Sequence, residues 1–527
     1  MRLRRKLLAA ASALLAGLAA AVVATPAHAV GPALLPVTVT NTTGRSDAVY
    51  LYVIGVQLST GRLGYVTSGG AFAPWTGGQI PPSPAPDVSI PGPGNGGSTT
   101  LQFPRGFSGR VYFALGQKLK FFLTPDGLVQ PAPWAAGDAN RDILFDWSEF
   151  TYNDSGLWLN SSQVDMFAIP HAVTVTGANG VTKRTGDVVA NGRNAVIDGI
   201  RAQPGWANTV HTRSDGTVLR VLAPGKAAAA GLLSTTYLDS YVASAWNAYT
   251  AKTLTVVPFA DQPAIRYYGR TSGNTMTFTN GSGQVVASFN RPSSASVWGC
   301  DGDLPAPNDQ VVGPISRTLC AALNRGTLGT IDTQPTTNAA DFYRNSPTNQ
   351  YARLIHANMT DGRAYAFAFD DVGGFESLVH DGDPRAAGLI LSPFSGGNPT
   401  TGVPVVSTWN NKCIDVPSSN FVDRAPLQMW NCNNTNAQKW TFSGTALKSQ
   451  NNKCMDIDAG STANGAVVQL YTCNGTGAQQ FTLNGAGDLV NLQANKCVDI
   501  KDANGNDGAR LQLWDCAGTA NQKWRTG

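Results

Sequence analysis

Beyond residue 30 the chain opens with short runs of alternating apolar and polar residues, at 37–39, 49–56, 111–115 and 119–123, each closed off by Gly, Pro or Asn. A period of two turns one face of each run toward a core, the pattern of a β-sandwich or barrel. The period then changes. Tyr237, Leu238, Tyr241, Val242, Ala245, Trp246 and Tyr249 recur every three or four positions and predict one amphipathic helix. Further helices are predicted at 315–323, 339–344 and 349–358, alternating with apolar runs such as 254–259, which makes residues 221–360 a mixed α/β lobe. Tyr365, Phe367 and Phe369 alternate again, so 361–391 is expected to rejoin the β lobe of 30–220. Two lobes imply a groove between them. Residues 69–100 form a Pro- and Gly-rich loop holding Trp75, long enough to suggest a function.

Residues 1–29 read as a signal peptide rather than as part of the fold. Arg2, Arg4, Arg5 and Lys6 precede an apolar run at 7–23 and an Ala27-His28-Ala29 cleavage pattern. Secretion is therefore expected, and no later stretch is apolar enough to span a membrane. Taking those four basic residues from the 38 in the chain leaves 34, equal to the 34 acidic residues. A neutral mature chain argues against nucleic acid or an anionic membrane as partner and suits an uncharged glycan. All eight cysteines lie in the exported part, as an oxidising compartment allows.

From 405 to 527 one short unit is written three times: Lys-Cys-x-Asp, a Gln-x-aromatic step, a second cysteine, and Gln-x-aromatic again. The cysteines are 19 apart in every copy (Cys413 and Cys432, Cys454 and Cys473, Cys497 and Cys516), so threefold symmetry selects one disulfide per copy. Cys300 and Cys320 remain to bridge each other; a metal or redox site there is disfavoured by the scatter of His171, His211, His356 and His380. A unit this short cannot bury its own apolar face, whereas three closing around an axis also remove open sheet edges. Trp440, Phe481 and Trp524 are the expected core, and 392–404 is a Pro/Gly/Thr linker.

These motifs resemble those of the ricin B-type β-trefoil lectins, also classed as carbohydrate-binding module family 13, over 405–527. The resemblance implies a β-trefoil in which the early Asp, the mid-repeat aromatic and polar groups of the second signature hold sugar. An aromatic face stacks on a pyranose while Asp and Asn satisfy its hydroxyls. The third copy carries the full set, Asp499, Trp514, Asn521 and Gln522. The first keeps Asp415 and Trp430, and the second Asp456 and Tyr471, with Ala437 and Ala478 where the third has Asn521.

Chemistry concentrates at 145–167. Strand alternation puts Trp147, Glu149 and Thr151 on one face, and Asp165 follows a turn at 153–156. Glycoside hydrolysis needs one protonated carboxyl and one ionised carboxylate, so Glu149 and Asp165 are the candidate pair. In a plain hairpin Glu149 sits opposite about Asn160, leaving Asp165 roughly 16 Å further along at about 3.3 Å per residue. A bulge, a crossover or another pairing must bring them together. Asp370 and Asp371 form a second acidic pair that is read either as groove lining or as turn residues before Gly373.

The sequences Glu149-Phe-Thr-Tyr-Asn153, Gly156-Leu-Trp158 and Ser162-Gln-Val-Asp165 resemble glycoside hydrolase family 64, the laminaripentaose-producing β-1,3-glucanases, and the likeness spans about 37–391. It implies a thaumatin-like β lobe, a mixed α/β lobe and a wide groove. It also implies an inverting endo-acting glucan endo-1,3-β-D-glucosidase with Glu149 as general acid and Asp165 as general base. Thr151, Asn153 and Trp158 would contact glucan, as would Ser162, which stands where a Thr is typical. Inversion requires the carboxyls to stand about 6.5–9.5 Å apart. The expected substrate is a long β-1,3-glucan such as curdlan, laminarin or fungal wall glucan. No cofactor or metal is expected, and the chain is expected to be a monomer. The rival reading is a non-catalytic thaumatin-like carbohydrate-binding or antifungal lectin, which gives no reason for both carboxylates. A hydrolase of another kind is disfavoured because neither G-x-S-x-G nor H-E-x-x-H occurs.

Overall fold

The computed structural model describes residues 31–125, 127–394, 403–433, 435–443, 445–449 and 453–526. The leader at 1–29 and positions 395–402 of the expected linker lie outside the described residues. Contacts divide the chain into two compact units, one of Met1–Val188 with Gly192–Phe394 and one of Ser395–Gly527 with Val189–Asn191.

In the first unit one sheet runs Thr182–Thr185, His171–Gly177, Pro384–Leu391, Leu34–Asn41, Ser98–Pro104. Its Leu34–Asn41 and Pro384–Leu391 strands are parallel neighbours, so the two ends of the unit are zipped side by side. A larger sheet runs Leu378–Asp381, Gly156–Asn160, Leu144–Asn153, Phe107–Leu115, Val49–Gln57, Arg62–Val66, Phe72–Pro74. The alternation in sequence becomes alternation between two cores. Leu51, Val53, Val111, Phe113 and Phe150 pack between the sheets. Tyr52, Ile54, Tyr112, Phe145 and Trp147, one residue out of step, enter a second core with the helices. The larger sheet is therefore a middle layer, which is why the 144–153 strand is buried on both faces.

The mixed lobe holds a sheet in the order Val285–Asn290, Thr275–Thr279, Tyr267–Ser272, Leu254–Val256, Thr333–Gln334, with helices Asp239–Ala248, Val312–Asn324 and Gln350–Ala357. Asn349 caps the last of these, its side chain accepting from the Ala352 N–H. Cys300 and Cys320 are bonded. Three expectations differ from this structure. The helical lobe starts earlier than 221, because the helix Gly192–Arg201 already buries Val196, Ile197 and Ile200 in the second core; these three are its only large apolar residues, too few to show a period. The 339–344 helix is a single 3-10 turn, Ala339–Asp341. Tyr365, Phe367 and Phe369 form no strand: Tyr365 makes one isolated bridge to Ser162, and Phe369 turns at φ +65° so that it and Phe367 enter the mixed core. The Trp75 loop is pinned by short strands at Ser83–Pro84 and Ile90–Pro91. Trp75 itself packs on Tyr65, ring centroids 4.7 Å apart, beside a cavity of about 280 Å³.

In the second unit the repeats close as a threefold β-rich module with disulfides Cys413–Cys432, Cys454–Cys473 and Cys497–Cys516. Trp440, Phe481 and Trp524 are buried in its core. A polar ring joins successive copies. Asp423 of the first takes Lys453 and Thr472 of the second, Asn464 of the second bonds Asp515 of the third, and Asp507 of the third takes Lys412 and Asn431 of the first. Each junction keeps one acid: where the third copy supplies Asp515, the second offers the neutral Asn464.

Candidate active site

Glu149 lies on the middle-layer strand, paired in register with Asn160 on one side and Arg110 on the other. The Asn160 side chain accepts from the Glu149 N–H at 3.1 Å, which fixes the backbone under the carboxyl. After Asn160 the chain does not continue along the hairpin. Ser161 and Gln163 bond to Ser377 and Tyr365, the Gln163 carbonyl accepts from the Tyr351 hydroxyl at 2.6 Å, and Met166–Phe167 pairs with Val218–Leu222 in a separate sheet. This crossover brings Asp165 back beside Glu149. Asp146 secures it from below by accepting the Ala168 and Ile169 N–H groups at 2.8 and 3.0 Å. Burial pushes the Asp146 carboxyl up to about 7, although three backbone N–H groups pull the other way.

Arg110 joins the two carboxylates. Its Nε and Nη2 reach Glu149 Oε1 at 3.0 and 2.9 Å, and Nη2 also reaches Asp165 Oδ2 at 3.5 Å. Two oxygens held by one nitrogen are no further apart than those two contacts laid end to end. The facing oxygens thus lie inside the gap of about 6.5 Å at which the inverting range begins, with the shared cation between them. Asp165 Oδ1 faces Lys226 at 3.1 Å, from the helix Pro224–Ala229. Arg110 in turn lies over Trp147, 4.6 Å from the ring centroid, and Lys226 over Trp134 at 4.4 Å. Sequence reading missed both cations. The visible signal was an arginine inside the otherwise apolar run at 109–115, but only strand register shows which acid it faces.

The expected glucan contacts are placed unevenly. Trp158 pairs in register with Thr151 and is half-buried, one face stacked on His380 at 4.1 Å. Thr151 is 3% exposed and its hydroxyl is bonded to Ser108 at 2.7 Å. Asn153 accepts from the Ser155 N–H at 2.8 Å as a turn residue. Ser162 is buried with its hydroxyl enclosed and unbonded, so it offers nothing to a ligand in this arrangement; its bridge to Tyr365 turns it inward. Asp370 is fully buried and paired with Arg325 and His356, and does not line a groove. Among the described residues no three His, Cys, Asp or Glu side chains converge as a metal-holding group.

In the trefoil the early Asp of each copy is clamped by the glutamines of both Gln-x-aromatic steps. Asp415 accepts from Gln428 and Gln438, Asp456 from Gln469 and Gln479, and Asp499 from Gln512 and Gln522, at 2.8–3.1 Å. Gln522 is 1% exposed, with its oxygen also taking the Ala517 N–H, so it builds the scaffold instead of facing sugar. Asn521 likewise bonds inward to Asp499 at 2.8 Å. Trp430 and Trp514 stand out at 40% and 42% exposure, and Tyr471 is half-buried. Gln522→Ala is accordingly expected to cost roughly 1–3 kcal/mol of trefoil stability in denaturant unfolding, by leaving a buried N–H and carboxylate short of partners. Trp514→Ala should leave unfolding unchanged and lower retention on insoluble polysaccharide.

A two-carboxylate site on a β-rich body, followed by a threefold sugar-binding module, defines a polysaccharide-directed glycoside hydrolase. The chain belongs to glycoside hydrolase family 64, the β-1,3-glucanases, whose model matches residues 33–391; that of the ricin-type β-trefoil lectin domain matches 402–524. It is 44% identical over 438 residues to a glucan endo-1,3-beta-glucosidase of Arthrobacter sp. (strain YCWD3), covering 80% of this chain and 79% of that one. The same figures hold for the glucan endo-1,3-beta-glucosidase of Cellulosimicrobium cellulans. The crystal structure of a laminaripentaose-producing β-1,3-glucanase in complex with laminaritetraose is 54% identical, with a TM-score of 0.67, and covers 69% of this chain and 100% of that one. The protein is an endo-1,3-β-glucanase with a lectin domain.

Proposed function

We propose that this glucanase is exported, acts as a monomer on long β-1,3-glucans such as curdlan or fungal wall glucan, and releases laminari-oligosaccharides, chiefly laminaripentaose, with inversion. Glu149 is the acid that protonates the leaving oxygen, and Asp165 the base that takes a proton from the attacking water. The observation that carries the reading is the pair itself: two acids 16 positions apart in sequence, brought by a crossover onto one arginine. A cation on each Asp165 oxygen is the setting an ionised carboxylate needs. The two packed antiparallel-rich sheets support a thaumatin-like description of the β lobe, and the 54% identity to a laminaripentaose-producing enzyme supports the product size. The trefoil supplies linked weak sites that raise the enzyme's concentration on an insoluble surface. Proton NMR of a fresh laminarin digest tests the mechanism. The α-anomer is expected first; β-anomer appearing first contradicts inversion.

A further inference from the structure

We propose that Lys226 is a positioning residue for the hydrolysis: it reaches from the mixed lobe to hold the Asp165 carboxyl aimed, with Arg110 as the link that keeps both carboxylates in one array. The assignment rests on Asp165 being the base and goes beyond it by naming what sets that base.

The array is continuous. Trp134 lies under Lys226, Lys226 bonds Asp165 Oδ1 at 3.1 Å, Arg110 bonds Asp165 Oδ2 at 3.5 Å, and Arg110 bonds Glu149 at 2.9 Å. Gln130 steadies the arginine, accepting from Arg110 Nη1 at 3.4 Å and from the Tyr112 hydroxyl at 3.0 Å. Trp134 and Gln130 stand four positions apart on one segment, so a single stretch of chain holds both cations. The two cations differ in what they touch. Arg110 is shared between both acids, whereas Lys226 contacts Asp165 alone among them. The Asp165 backbone is held where its carbonyl accepts from the Ala223 N–H at 3.1 Å, and its carboxyl takes its direction from its side-chain partners. The groups facing it are Arg110 and Tyr112 from the Phe107–Leu115 strand, Lys226 from its helix, Tyr351 from the Gln350–Ala357 helix, and Glu149 through the shared guanidinium.

The sign of the effect is fixed. A neighbouring positive charge favours the ionised form of a carboxylate, and a general base must be ionised, so the acid limb of the kcat/KM profile responds to the charge beside the base. Removing the charge moves that limb to higher pH.

The test compares K226M and K226R in the full chain with soluble laminarin. Met keeps the apolar stem over Trp134 and loses the charge. We expect the acid limb of K226M to move up by about one pH unit, with turnover near the optimum falling about tenfold or more at little changed KM. K226R is expected to restore the limb. An unshifted limb in K226M overturns the assignment, as does a loss that is the same at every pH. D165N is measured alongside. Wild-type turnover in D165N overturns the base reading itself, whereas a crippled D165N with an unshifted K226M overturns Lys226 alone. On the D165N background K226M should cost nothing further; an additional tenfold loss there contradicts action through Asp165.

Discussion

Glu149→Gln is expected to reduce turnover on laminarin by about 10²–10⁴-fold, the usual contribution of a positioned proton donor. The substitution isolates the proton. Gln keeps an oxygen that accepts from Arg110 and the same backbone N–H bond to Asn160, so the strand register and the array of cations survive. A substrate with a good leaving group, such as a nitrophenyl laminari-oligosaccharide, needs no proton on departure. On that substrate E149Q should recover most of its loss, while D165N, unable to activate water, should not. Recovery by D165N instead of E149Q would exchange the two roles. Undiminished laminarin hydrolysis by E149Q would remove Glu149 from the chemistry.

Glu149, Thr151 and Trp147 were legible as one face because a strand's period is two and the run is long enough to show it. So was the pairing of Glu149 with Asn160, which follows from the turn at 153–156. Asp165 was legible as a residue type but not as a neighbour. Its approach depends on a crossover held by Ser377, Tyr365, Tyr351 and Ala223, residues up to 216 positions away, and no local pattern encodes such contacts. Arg110 and Lys226 were hidden for the same reason: each meets the acids through tertiary register. The trefoil was legible almost completely because it is written three times, and symmetry removes the ambiguity that a single copy leaves. Even there the direction of a side chain was not. Gln522 and Asn521 carry the chemistry of sugar contacts, yet the structure spends them on Asp499, as the glutamines of the other copies are spent on Asp415 and Asp456.

Asp370→Ala is expected to lower the stability of the catalytic unit by about 3–5 kcal/mol, the cost of leaving a buried partner charge uncompensated. Asp370 is wholly enclosed and uses both oxygens: Oδ1 takes Arg325 at 2.9 Å, while Oδ2 takes His356 at 2.9 Å and the Ala366 N–H at 3.0 Å. Arg325, itself 2% exposed on its side chain, is ringed by Phe342, Phe367 and Phe375. Burial alone would push the Asp370 carboxyl up, but His356, Arg325 and the Ala366 N–H outweigh it and hold the carboxyl below the ordinary range. A depressed folded value means that this contribution is fully present above the unfolded value of about 4 and is lost as pH falls through the folded one. Wild type should therefore lose stability on acidification below about pH 4 more steeply than D370A, in which the linkage is gone. Urea unfolding of the catalytic unit at pH 7 and at pH 3 measures both. The same variant separates the two readings of this acid. A groove-lining residue would lose turnover and keep its unfolding midpoint; the ion pair predicts the reverse, a lower midpoint with kcat and its pH profile kept by whatever fraction remains folded. An unchanged midpoint would show that Arg325 finds compensation elsewhere and would refute the role assigned to Asp370.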